Sequence, residues 1–66
     1  MDSSNIQINV TLEFAVEDGM RSYEFAISGK GFKEIKDRAK ALYSEISDTE
    51  YGGTVKEMPI RYHVET

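Results

Sequence analysis

The sequence predicts a small α+β domain of β-β-α-β order, with three antiparallel strands in spatial order 2-1-3 and one amphipathic helix packed on one face. Three observations lead to this fold: alternating apolar residues over 6–16, an Asp-Gly turn followed by a second alternating run, and helical spacing over 31–47. Period two is typical of a half-buried strand, and a spacing of three and four is typical of a surface helix. We expect residues 1–66 to form a single domain, with residues 1–5 as a flexible N-terminus.

The first strand gives the strongest signal. Its even positions are all apolar, namely Ile6, Ile8, Val10, Leu12, Phe14 and Val16. Since it is the longest and most apolar strand, we place it in the centre of the sheet. Asp18-Gly19 follows it and predicts a type I′ turn, which requires positive φ at both central residues. The cross-strand pairs that follow from this turn are Phe14 with Tyr23, Leu12 with Phe25 and Val10 with Ile27.

The helix is predicted from a narrow apolar stripe suited to lying across a sheet. Its members are Phe32, Ile35, Ala39, Leu42 and Ile46. Glycines precede it in the turn over 28–31, and residues 47–53 contain turn formers and two further glycines that end it. The helix is therefore expected to occupy 31–47.

The last predicted strand lies within 54–65, where apolar Met58, Ile60, Tyr62 and Val64 alternate with other residues. Pro59 has no N–H to donate, so this strand is expected at an edge with Pro59 on the unpaired side. Val55 falls out of phase with the alternation. That mismatch predicts a bulge, or a later start of the strand near Lys56.

Size and composition limit the kind of protein this chain encodes. A domain of 66 residues buries only about 60% of the surface of its unfolded chain. The absence of cysteine excludes disulfides and thiolate metal sites, which often stabilise small domains. We therefore expect a homodimer, formed by edge pairing or by packing of helices or open sheet faces.

Charge is unevenly distributed along the chain. Residues 30–40 hold five basic and two acidic residues, which gives them +3, so the remainder carries −7 of the net charge of −4. On a helical wheel Lys33, Lys36 and Lys40 share one flank, with Tyr43 beside them. Such a stripe is suited to a nucleic-acid backbone or an acidic protein, although charged flanks most often serve only to keep a helix solvated.

The open face of the sheet is predicted to be polar. It lacks the exposed aromatic side chains on which single-stranded bases stack, which argues against a sheet-based RNA reader. Under the type I′ register Glu13 lies directly opposite Glu24. Two carboxylates that face each other repel unless a cation or a bound partner neutralises them, so both residues are candidates for partner binding.

No constellation of catalytic or metal-binding residues is apparent. His63 is the single histidine and has no second imidazole or thiolate to join it in a metal site. The glycine turn over 28–31 lacks the full phosphate-loop pattern. No nucleophile stands beside a recognisable base. We therefore expect no enzyme activity, no cofactor and no metal.

These observations favour a small acidic interaction protein of the cytoplasm that acts by protein–protein docking. By analogy of fold alone, it would be an inhibitor or accessory subunit of the kind that phages and mobile elements encode. The alternative is a nucleic-acid-binding module that uses the basic stripe of the helix. A protein partner is favoured over nucleic acid because of the net negative charge, and the sequence contains no apolar run of membrane-spanning length.

Overall fold

A computed structural model of the chain describes residues 5–64, apart from the side chain of Glu57. Its elements are β1 (Ile6–Val16), β2 (Gly19–Gly29), α1 (Phe32–Tyr51), β3 (Lys56–Glu57) and β4 (Arg61–His63). β1 pairs antiparallel with β2 on one side and with β3 and β4 on the other. The predicted α+β fold with strand order 2-1-3 is confirmed, and the sheet is open. The predicted flexibility of residues 1–4 lies outside the described part of the chain.

The core lies between β1 and α1, because the alternation of β1 turns one row of its side chains toward the helix. Val10, Leu12 and Phe14 are completely buried. The buried core consists of Ile8, Val10, Leu12, Phe14, Ile27, Ile35, Ala39 and Tyr43. β1 is buried most deeply because it is flanked by strands on both sides, as its length and composition predict.

The register of the hairpin differs from the predicted one by two residues. Val16 pairs with Gly19, so the loop is Glu17-Asp18 rather than Asp18-Gly19. Gly19 has φ 142°, whereas no residue other than glycine has positive φ in the described chain, which excludes a type I′ turn. The predicted register was therefore wrong. A slip of two preserves the alternation of faces, so hydrophobic pattern alone could not exclude it.

The helix begins after Gly31 and extends to Tyr51, four residues beyond the predicted end. Ser47, Asp48 and their neighbours continue the helix, because polar residues do not by themselves end one. Gly52 ends it in the left-handed conformation at φ 64°. The N–H of Gly52 bonds to Asp48 O, and that of Gly53 bonds to Ser47 O, which satisfies carbonyls of the last turn.

The C-terminal edge of the sheet is interrupted. Lys56 pairs with Ala15 and Arg61 pairs with Thr11, so five steps along the C-terminal segment match four along β1. The extra residue lies in the stretch 58–60, which belongs to neither strand and contains Pro59. The predicted strand start near Lys56 is confirmed, because β3 begins at that residue, whereas the extra residue between β3 and β4 was not predicted.

The helix covers only part of the sheet. It approaches both β1 and β2 closely, whereas no Cα atom of α1 comes within 8 Å of one in β4. The inner side of β4 is therefore covered only in part, by the ring of Phe32, whose centroid lies 5.2 Å from that of Tyr62. Within residues 5–64, no helix has both the length and the apolar character needed to cross a bilayer.

Candidate functional site

A groove runs between α1 and the C-terminal segment, where the helix leaves the sheet uncovered. One hollow of about 410 Å³ is lined by Tyr43 and Ser44 of the helix together with the C-terminal segment. A second hollow of about 390 Å³ adjoins it and shares Lys40 with it. We call the two together the lysine groove, and its lysines the lysine wall: Lys40 borders the floor of Met58, Ile60 and Tyr62, whereas Lys33 and Lys36 lie with Asp37 in the second hollow, which is lined by α1 alone.

The structure places the three lysines on one exposed flank of α1, as the helical wheel predicts. The side chain of Lys33 is 92% exposed, and its Nζ lies 3.6 Å from Asp37 Oδ2. Lys36 Nζ lies 5.6 Å from the centroid of the Phe32 ring, within reach of a cation–π contact. An exposed ion pair of this kind contributes little to stability, so each ammonium remains available to an incoming anion.

Two aromatic rings form the end of the groove nearest the start of α1. Phe32 and Tyr62 meet edge to face, with ring centroids 5.2 Å apart. Phe32 is 43% exposed, although its position in the apolar stripe predicted burial. It lies in the first turn of the helix, where its ring packs on Tyr62 of β4. Burial raises the pKa of the Tyr62 phenol above its ordinary value, so this hydroxyl stays neutral.

Tyr43 does not belong to the exposed flank where the sequence placed it. It is only 5% exposed, and its ring stacks on Phe14 at 4.4 Å between centroids. Its hydroxyl donates to Glu13 O at 2.7 Å and accepts the N–H of Met58 at 2.8 Å. Tyr43 is thus a core residue whose hydroxyl holds the C-terminal segment against β1. It leaves only its edge at the bottom of the groove.

The charges of α1 agree only in part with the dipole of the helix, since Glu34 lies favourably in the first turn but the lysines beside it do not. Lys33 and Lys36 lie in its first turns, and Asp48 and Glu50 lie near its end, where no basic residue is present. A helix is stabilised by acids near its N-terminus and by bases near its C-terminus, each by about 0.3–1 kcal/mol. The lysines therefore do not stabilise the helix they belong to.

The open face of the sheet does not bring Glu13 and Glu24 together. The observed register places Glu13 opposite Ser22 and Glu24 opposite Thr11, so the predicted facing pair was wrong. The side chain of Glu13 is 20% exposed and lies 3.5 Å from the guanidinium of Arg61. The Glu13 carboxylate is thus already paired with a cation of the same chain, and the repulsion that made Glu13 and Glu24 candidates for partner binding is absent.

The remaining candidates for chemistry are engaged in structural contacts. His63 Nε2 lies 3.2 Å from Thr11 Oγ1 on the exposed side of the sheet. Glu34 Oε1 accepts the backbone N–H of Lys30 at 2.6 Å, so a carboxylate already lies at the N-terminus of α1, where a phosphate would have to bind. Within residues 5–64, no three histidine or acidic side chains converge in a way that could hold a metal ion.

Sequence reasoning missed the floor of the groove. Met58, Ile60 and Tyr62 were assigned correctly to the inner side, but they were expected to lie beneath the helix. No signal in the sequence indicates this, because the apolar stripe shows which side of α1 meets the sheet but not which strands lie beneath it.

Comparisons with known proteins add no assignment to this geometry. The chain matches no protein-family model, no curated protein and no solved structure.

Proposed function

We propose that the chain is a non-enzymatic interaction protein that binds an acidic amphipathic helix of a partner protein in the lysine groove. The observation that carries this proposal is an apolar floor bordered by Lys40, with the exposed Lys36 and Lys33 continuing along the same flank of α1. An inhibitor or accessory subunit would act by binding a segment of another protein in this groove. Binding would require no chemistry from the chain.

The floor of the groove supports a helical occupant. A two-layer domain buries the apolar face of its sheet beneath helices, and α1 contacts β4 through the ring of Phe32 while its backbone stays more than 8 Å away between Cα atoms. Met58, Ile60 and Tyr62 are partly buried and leave apolar surface facing the groove. A second helix lying beside α1 would cover them, in the mode by which amphipathic helices bind apolar grooves.

The lysine wall supports an acidic occupant. Lys33, Lys36 and Lys40 are separated by three and four residues, so they span about 10 Å along the helix axis at 1.5 Å per residue. Carboxylates repeated at the same spacing on a neighbouring helix would meet them. The position of these lysines against the helix dipole also supports a role in binding, because they weaken the isolated helix rather than stabilise it.

Nucleic acid is the second candidate, and the same lysines are the observation in its favour. Three phosphate contacts would give a salt dependence with a slope of only about −2.7, which implies weak binding at physiological ionic strength. The apolar floor of Met58, Ile60 and Tyr62 would also gain nothing from a phosphate backbone, whereas the apolar face of a helix would cover it. The geometry therefore favours a protein segment.

Titration with a synthetic helical peptide tests the proposal. The peptide carries glutamates spaced three and four residues apart beside an apolar face. One control peptide has lysine at the glutamate positions, and a duplex DNA serves as a further probe. We expect the acidic peptide alone to bind, with NMR shifts concentrated at Met58, Ile60 and Tyr62.

Charge-reversal variants localise the binding. The double variant Lys36→Glu with Lys40→Glu should lower the affinity for the acidic peptide by about tenfold or more, which corresponds to about 1.4 kcal/mol of binding free energy. Lys56→Glu is the matched control, because Lys56 is an exposed lysine of β3 outside the groove, and it should leave the affinity unchanged. Equal affinity for the acidic and basic peptides, or DNA binding that Lys36 and Lys40 control, would overturn the proposal.

A further inference from the structure

The outer edge of β2 is a long strand edge without a partner strand. All eleven residues of Gly19–Gly29 pair with β1 on the inner side in one unbroken register. In the part of the chain that the structure describes, no strand pairs with the other side. The strand contains no proline and no bulge, and its charged residues are Arg21 and Glu24. Its backbone groups are therefore open to pairing over 19–27, whereas the carbonyl of Ser28 already accepts a hydrogen bond from Arg38 Nη1 at 2.8 Å.

The opposite edge of the same sheet is built differently. It consists of two strands of two and three residues, separated by a stretch with an extra residue and Pro59. Short strands, bulges and proline are the features by which proteins block pairing between sheet edges. One chain thus contains a protected edge and an unprotected one, and the unprotected edge is the longer.

From this contrast we infer that β2 pairs antiparallel with β2 of a second copy, around a two-fold axis near the middle of the strand. The axis is perpendicular to the sheet, because a two-fold relation between antiparallel neighbours requires it. The two sheets then form one continuous sheet, and both helices lie on the same face.

The distribution of charge along β2 matches this arrangement. Glu17 and Asp18 lie in the loop before the strand, and Lys30 follows directly after it. An antiparallel pair centred on Tyr23 places Lys30 of one copy opposite Val16 of the other, next to Glu17. Asp18 already lies 3.6 Å from Arg21 of its own chain. This centre also avoids placing Glu24 directly opposite itself, which would be unfavourable.

The position of α1 also fits a second copy. The helix approaches both β1 and β2, so we place its axis over the space between them. Neighbouring strands lie about 4.8 Å apart, so the two helices of the dimer would lie about 10 Å apart. Helices that pack side by side have interaxial distances of about 8–10 Å. The second copy would also cover Tyr23 and Phe25, which are only partly buried in the single chain.

This inference does not depend on the lysine groove. The groove lies on the β4 side of the helix, and the proposed interface lies at the edge of β2. Peptide binding and dimer formation therefore succeed or fail separately in experiment.

Amide hydrogen exchange and sedimentation of the unmodified chain test the inference. Val16 and Gly19 close a two-residue loop and form a hydrogen-bonded pair, so alternation directs the N–H groups of Ser22, Glu24 and Ala26 to the outer edge. We expect these three amides to exchange as slowly as those of Tyr23 and Phe25, and sedimentation to give twice the chain mass of 7.5 kDa. A monomer at millimolar concentration, or a dimer whose outward amides exchange rapidly, would overturn it.

The variant Ala26→Pro tests the interface directly. Proline removes an outward N–H from an exposed residue and leaves the bonds between β1 and β2 in place. The dissociation constant of the dimer should rise by about tenfold or more, since the two-fold axis removes the bond twice. An unchanged dissociation constant in a folded variant would contradict pairing through β2. If the variant fails to fold, the amide exchange pattern of the unmodified chain still decides whether the outer edge of β2 is paired.

Discussion

Replacing Tyr43 with phenylalanine removes a single hydroxyl from the core and preserves the ring that stacks on Phe14. That hydroxyl donates to Glu13 O at 2.7 Å and accepts from Met58 N at 2.8 Å. A hydrogen bond contributes a net 0.5–1.5 kcal/mol on average, so the loss of both should lower the free energy of unfolding by about 1–3 kcal/mol. Each kcal/mol lowers the melting temperature of a domain this small by about 4–8 °C.

Urea denaturation followed by circular dichroism measures the loss, with Tyr62→Phe as the matched control. The Tyr62 hydroxyl makes no hydrogen bond within residues 5–64, so its removal should change stability by no more than about 0.5 kcal/mol. Amide exchange at Met58 provides a local readout, because this N–H loses its acceptor in Tyr43→Phe. Equal stability of Tyr43→Phe and the unmodified chain, or an equal loss in both variants, would refute the role assigned to Tyr43.

Three further results are expected from denaturation experiments. Leu12→Ala truncates a side chain in the centre of the core, so it should lower the free energy of unfolding by about 2–5 kcal/mol. A change near zero would show that β1 is not central. Gly19→Ser should lower the free energy of unfolding by about 1–3 kcal/mol, because Gly19 has φ 142°. Gly31 has φ −159°, so Gly31→Ser should leave the free energy of unfolding unchanged or raise it. Equal losses in the two variants would contradict the loop geometry. Burial raises the pKa of Tyr62 above 10.0, so the unfolded chain ionises first and stability should fall as the pH rises past about 10. Tyr62→Phe should weaken that fall, and an identical pH profile would contradict the assignment.

The fold followed from the sequence because β1 carries an unbroken apolar alternation from Ile6 to Val16. That pattern determines which face of the strand is buried, and the stripe on α1 determines which side of the helix meets it. The strand register was harder to predict, because a shift of two residues keeps every side chain on the same face of the sheet. The observed hairpin register differs from the predicted one by such a shift. The choice of loop depended on the backbone conformation of Asp18, which residue identity alone did not determine.

The candidate site was only half predictable. The exposed flank of Lys33, Lys36 and Lys40 follows from helical geometry and was found. Tyr43 lies next to that flank on the wheel, and its burial depends on how far α1 rotates over Phe14, which is a property of packing. Likewise the floor at Tyr62 exists because α1 does not extend over β4. The position of a helix across a sheet is a tertiary property that periodicity does not encode.

The interrupted C-terminal edge sets an upper limit on how far this sheet can grow. A sheet with two open edges can add copies without end, in the manner of a fibril. Here Pro59 and the extra residue between β3 and β4 close one edge, so each copy has a single side through which another can add. If copies pair through β2 as proposed, edge addition would terminate at two copies, and the break near the C-terminus would then protect the chain against aggregation even though it contributes little to the core.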